Sequence, residues 1–143
     1  MKAILITCTF LLLTLTGRSQ AKDPIEHNWY NEEQTAKIQI YKEKDGKFYG
    51  KIVWLKVPNI DSKPKIDNHN PEPAHRNDPI LGLLLLKHFQ KHGENKYDNG
   101  TVYDPRNGKT YSCDVTRKNN TIEVRGYVGI SMFGKTTTWT IAD

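Results

Sequence analysis

The chain has 143 residues, the length of one ordinary domain. Hydrophobic residues make up 36% and charged residues 26%, and the seven Tyr, four Phe and three Trp argue against disorder while allowing only a modest core. Lys+Arg is 21 against Asp+Glu 16, a formal charge of +5. No basic run exceeds two, so nucleic acid is not expected as a partner.

The first segment reads as an address. Met1 and Lys2 supply a positive start, residues 3–15 carry no charge, and small residues follow at Gly17, Ser19 and Ala21. This predicts a signal peptide over 1–19, cleaved after Ser19 or Ala21, and a single domain over 22–143. The apolar stretch is short for a bilayer span, so no stable membrane anchor is expected after cleavage. The expected location is secreted or periplasmic. Without Lys2 and Arg18, 19 basic and 16 acidic residues leave +3. Loss of Cys8 leaves Cys113 as the only thiol, so an intrachain disulfide is not expected.

Strand signals follow. Residues 27–30 form a short aromatic start, and 36–41 alternate with Ile38 and Ile40 on one face. Asp45-Gly46 supplies a hairpin turn. In 48–55, alternation puts Phe48, Gly50, Ile52 and Trp54 on one side and Tyr49, Lys51, Val53 and Leu55 on the other. Segment 56–79 holds five of the seven prolines and is not expected to pair regularly. It reads as a lid, a docking loop or a partly disordered stretch. Residues 83–90 read as a strand, with a short helix as the alternative. Strands are then expected at 100–103, 109–117, 121–127 and 136–141. Their turns are at Asp104, Pro105 and Gly108, and at 118–120. Gly126, Gly129 and Gly134 shape a bend before the last strand. About eight strands with regular turns predict an all-β fold, a small antiparallel barrel wide enough for one small ligand. A sandwich is the alternative.

Chemical motifs are sparse. Residues 129–136 match the phosphate-binding pattern G-x-x-x-x-G-K-[ST], which needs a helix beginning at the Lys. Only strand formers follow Thr136, so no nucleotide and no other cofactor is expected. His88 and His92 are spaced for one helix face, yet a third ligand is missing and they fall on an expected strand; no metal site is expected. Asp61, Asp67, Asn68, Asn70 and Asp78 lack calcium-loop spacing. Cys113 alternates with Tyr111 and Val115, as a small core residue does. No catalytic residue is assigned, and an enzyme remains the third choice of class.

Residues 103–111 (Tyr-Asp-Pro-Arg-Asn-Gly-Lys-Thr-Tyr), Val124-Arg125-Gly126-Tyr127-Val128-Gly129 and Phe133-Gly134-Lys135-Thr136 through Trp139 carry a resemblance. Others are Gly50-Lys51-Ile52-Val53-Trp54-Leu55, Asp67-x-x-Asn70-Pro71, Arg76, Leu81-Gly82-Leu83 and Asn99-Gly100. The chain resembles the secreted bacterial proteins catalogued as domain of unknown function 2147, from about Trp29 to Trp139. The resemblance implies a lipocalin-like antiparallel barrel, export, and no established activity. Two features differ from that pattern. The family's Gly-x-Trp is His27-Asn28-Trp29 here, and its closing Trp-x-Arg is Trp139-Thr140-Ile141. Arg125 is the candidate stand-in for that arginine.

These readings point to a lipocalin-like binding protein for a small, largely apolar molecule. Trp54, Tyr111, Arg125 and Tyr127 are the candidate pocket residues, with Trp29 and Trp139 plugging one end. The alternative is an interaction module for an envelope protein, using the proline-rich loop.

Overall fold

Short alternating segments that bury one face each must share a core, and here they close a ring. The computed structural model describes residues 20–143, so the expected leader lies outside the described residues. Among the described residues there are ten strands: β1 (Asn28–Tyr30), β2 (Ala36–Lys42), β3 (Phe48–Leu55), β4 (Asn59–Ile60), β5 (Lys63–Pro64), β6 (Leu84–Lys91), β7 (Lys96–Asp104), β8 (Lys109–Lys118), β9 (Thr121–Tyr127) and β10 (Lys135–Ile141). Eight form a closed antiparallel barrel in the order β1-β10-β9-β8-β7-β6-β3-β2. Closure removes free strand edges. Among the described residues no helix is long and apolar enough to cross a membrane.

The registers sort the connections into two ends. At the base lie the β2–β3, β6–β7 and β8–β9 turns, beside the pairs Lys42↔Phe48, Lys91↔Tyr97 and Lys118↔Thr121. The mouth carries the β1–β2, β7–β8 and β9–β10 turns and the long β3–β6 connection.

The base is tightly filled. Trp29, Ile122, Leu86 and Tyr97 are all at most 1% exposed. Residues before β1 close it from below: Ile25 is 2% exposed and its carbonyl accepts the Trp29 indole N–H at 2.9 Å. Asp23 fixes this segment to the barrel through Lys91 Nζ at 2.6 Å and the Tyr97 hydroxyl. Burial raises the Asp23 pKa, but the bonds from Lys91, Tyr97 and the Ile25 amide outweigh it and leave it lowered.

Irregular pairing decides which side chains reach the interior. Between the pairs Lys87↔Thr101 and Gln90↔Asp98, His88 (φ 65°) and Asn99 (φ 56°) take left-handed conformations. Against their other neighbours, β3 and β8, the strands β6 and β7 each carry one extra residue here, and Phe89 and Gly100 both end up facing inward. A Cβ on Gly100 would sit 2.5 Å from the Phe89 ring, so the glycine makes room for the aromatic. The expected strand 83–90 is present, shifted by one residue.

The proline-rich segment departs from expectation. It forms a two-residue β4–β5 ladder, an Ile66↔Pro79 bridge and a 3-10 turn at Pro73–His75. Its hydrogen bonds give it a defined path, so the partly disordered alternative is corrected. Asp67 is fully buried and accepts from the Tyr103 hydroxyl and the Asn70 side-chain amide, both at 2.8 Å. That buried carboxylate is satisfied by local and long-range donors, which latches the loop to β7.

Candidate functional site

The barrel interior is graded from base to mouth. At the base, the void among Ile25, Ile40, Phe48, Leu86, Phe89 and Val115 is only about 10 Å³. That is about one water's worth of space with apolar walls, and no ligand fits there. Toward the mouth the inward positions open. Register and alternation place Val102, Tyr111, Gly126 and Thr137 on the inner face, and all four are partly exposed. Asp104 follows Val102 on that face. It is bridged by Arg106 Nε at 3.0 Å and Nη2 at 2.9 Å, which holds its carboxyl below the usual range. Tyr111's hydroxyl accepts from Asn107 Nδ2 at 3.0 Å, so the β7–β8 turn orients it. The inner face at the mouth is thus a partly exposed cup, with Val102 and the Tyr111 ring on its wall and Asp104 and Asn107 at its rim.

Among the expected pocket residues, only Tyr111 lies in this cup. Trp54 is corrected to the outer wall. The ladder steps from Lys37↔Trp54 to Ile38↔Ile52, so Val53 is an extra residue that flips Trp54 away from Phe48, Gly50 and Ile52. Its ring meets Tyr30 edge-on at 6.0 Å, with Lys37 Nζ 5.6 Å from it. Arg125 and Tyr127 also face outward, because they alternate with the inward Val124 and Gly126. Arg125 donates to Thr136 Oγ1 at 2.8 Å and to the Met132 carbonyl at 3.3 Å. With Asp98, Asp114, Glu123 and Lys96 it borders an open outer groove of about 250 Å³. Burial, then the neighbouring Asp98, raises the Asp114 carboxyl. Tyr127's hydroxyl lies 3.4 Å from Asp114 Oδ1.

Trp29 and Trp139 sit in the packed interior, 0% and 6% exposed. The arginine at the base is Arg117, inward beside Val115 and paired across from Ile122. Its Nη1 donates to the Asn119 carbonyl at 3.2 Å. Arg125 lies nearer the mouth on the outer wall, so it does not take the place of the closing arginine.

The chemical motifs resolve into structure. Residues 131–133 form a single 3-10 turn and β10 begins at Lys135, so no helix follows the G-x-x-x-x-G-K-T letters. Gly129 has φ 77°, and a Cβ on Gly134 would come 2.6 Å from the Gly126 carbonyl oxygen; both glycines serve the bend. His88 Nδ1 pairs with the Tyr49 hydroxyl at 2.9 Å, and His92 Nδ1 with Asp98 at 2.5 Å. Cys113 is wholly buried, and desolvation pushes its thiol well up, the reverse of an activated nucleophile.

Sequence reasoning passed over two features of the mouth. One is the Asp67–Tyr103 latch, whose local signal is the Asp-x-x-Asn turn: Asn70 N–H donates to the Asp67 carbonyl at 3.0 Å. The other is the β9–β10 tip, where Val128, Ile130, Met132 and Phe133 stand exposed. Four large apolar residues between glycines in so short a connection were the available signal.

Comparison with known proteins agrees with this geometry. A family profile described as an uncharacterized protein conserved in bacteria, DUF2147, matches residues 27–141. The structure is similar to that of protein HP1028 from Helicobacter pylori, described as belonging to the lipocalin family. The TM-score is 0.74 at 27% identity, covering 85% of this chain and 84% of that one. A search of curated proteins finds no match.

Proposed function

The chain belongs to the bacterial family of uncharacterized proteins DUF2147, and from that premise we propose that it is an exported barrel that binds a small, largely apolar molecule at its mouth. The observation that carries this reading is the packing gradient. The base leaves about 10 Å³, whereas the inner residues Val102, Tyr111 and Thr137 at the mouth are partly exposed. Barrel mouths with apolar walls and few polar anchors are common ligand sites. The lipocalin description of the similar H. pylori structure supports it. Tyr111 offers both an apolar ring and a hydroxyl, so it is the residue expected to touch the ligand.

Fatty-acid probes, followed by displacement of an environment-sensitive dye, are expected to bind with roughly micromolar affinity, about 8 kcal/mol. Tyr111→Ala should weaken binding about tenfold. Trp54→Ala should leave it unchanged, because that ring lies on the outer wall. Absence of saturable binding, or equal loss in both variants, would refute the mouth as the site.

Export rests on the charged start, uncharged stretch and small residues of 1–21. Protein recovered from the periplasm or medium of a bacterial host should begin at Gln20 or Lys22. An intact Met1 on protein retained in the cytoplasm would contradict it; intact-mass spectrometry reads the difference.

A further inference from the structure

The mouth end carries two apolar clusters that the fold leaves uncovered. In the β9–β10 connection, Val128, Ile130, Met132 and Phe133 are 74%, 57%, 77% and 80% exposed. In the β3–β6 connection, Val57, Ile60 and Leu81 are 54%, 58% and 48% exposed. Single exposed apolar residues are ordinary, but a run of them at a turn tip marks an interaction site. The tip is held in place by its own bonds. Phe133 N–H donates to the Ile130 carbonyl at 3.2 Å, and Arg125 holds the Met132 carbonyl.

The ring order sets the two clusters opposite each other. From the β9–β10 gap to the β6–β3 gap, the path crosses β9, β8, β7 and β6 one way and β10, β1, β2 and β3 the other. Both connections leave the same end. Both sets of exposed apolar side chains therefore belong to the mouth end and flank it from two sides of the ring. Charge selects the kind of surface. Residues 125–137 hold Arg125 and Lys135 and no acid, and residues 56–66 hold Lys56, Lys63 and Lys65 against Asp61 alone. The other acids of this end, Glu32, Glu33, Glu72, Asp78, Asp104 and the buried Asp67, fall outside these two segments.

We propose that the mouth end docks on an anionic membrane surface, with Met132 and Phe133 entering the headgroup–acyl boundary and the lysines facing lipid phosphates. Apolar side chains and basic charges act together in such peripheral binding, and no spanning segment is needed. Docking stands without the ligand reading. Joined to it, docking lets an apolar molecule pass between the bilayer and the cup without crossing water.

The test is co-sedimentation of the purified protein with phosphatidylcholine vesicles, with and without about a third phosphatidylglycerol. Association is expected with the anionic vesicles, weakening as salt is raised. Phe133→Asp should reduce partitioning about tenfold or more, and Ile60→Asp on the opposite cluster should reduce it as well. Both side chains are exposed, so melting temperatures should hold. The proposal is overturned by no vesicle association, by association unaffected by Phe133→Asp, or by a lipid-free dimer that Phe133→Asp dissolves. Loss confined to Phe133→Asp, with Ile60→Asp neutral, also overturns it, because that pattern fits a protein partner on one loop. The two readings separate cleanly: vesicle binding without fatty-acid binding removes the ligand reading alone, and the reverse removes docking alone.

Discussion

Trp29→Ala is expected to destabilise the protein by about 3–5 kcal/mol, the usual loss for a large aromatic removed from a core that cannot collapse around the gap. Trp29 is wholly buried, and its indole N–H donates to the Ile25 carbonyl that closes the base. The substitution thus leaves a cavity and removes one of the donors that tie residues 23–27 beneath the barrel. Against a total stability of about 5–15 kcal/mol, this is a large share. Urea unfolding should show a lower midpoint with an unchanged slope, since the surface exposed on unfolding is nearly the same. Trp54→Ala is the internal control. That ring is 38% exposed on the outer wall, and its loss should remove about 1 kcal/mol or less. Equal effects at the two positions would contradict the filled base and the flipped register of β3.

Gly108→Ala should unlatch the proline-rich loop. Gly108 has φ 70°, where a side chain brings strain of about 1–2 kcal/mol. The new Cβ would also fall 1.9 Å from the His69 carbonyl oxygen. That atom is backbone, so it moves only if the loop moves. Gly46 separates the two effects: it has φ 79° but nothing within 4 Å of its Cβ position. Gly46→Ala should therefore show the strain alone. Tyr103→Phe approaches the same latch from the other side, removing a hydroxyl donor from the fully buried Asp67, and should lose about 1–3 kcal/mol. Gly108→Ala and Tyr103→Phe should both speed proteolytic cleavage within 66–79, whereas Gly46→Ala should not. Matching behaviour of Gly108→Ala and Gly46→Ala in melting and proteolysis would mean the loop is not latched there.

The cup and the latch were legible in the sequence to different degrees. Tyr111 alternates with Cys113 and Val115, and that period of two placed it on the inner face before any tertiary contact was known. The same rule, applied to Arg125 and Tyr127 beside Val124 and Gly126, points them outward; their choice as pocket residues followed residue type rather than alternation. Trp54 could not be placed this way. One extra residue at Val53 reverses its face, and that extra residue is defined only against the partner strand β2.

The sequence by itself determined the all-β class, the eight barrel strands to within a few residues, and the turns at Asp45-Gly46 and at 104–108. These depend on side-chain alternation and on local φ preferences, both of which act over a few residues. Tertiary structure alone decided that the ring closes, that Phe89 turns inward over Gly100, and that Asp67 is buried under Tyr103, 36 positions away. It also set the apolar tips of two distant connections on opposite sides of one mouth. Ladder partners, bulges and long-range hydrogen bonds couple residues far apart in the chain, and a periodicity read along one strand carries no record of them.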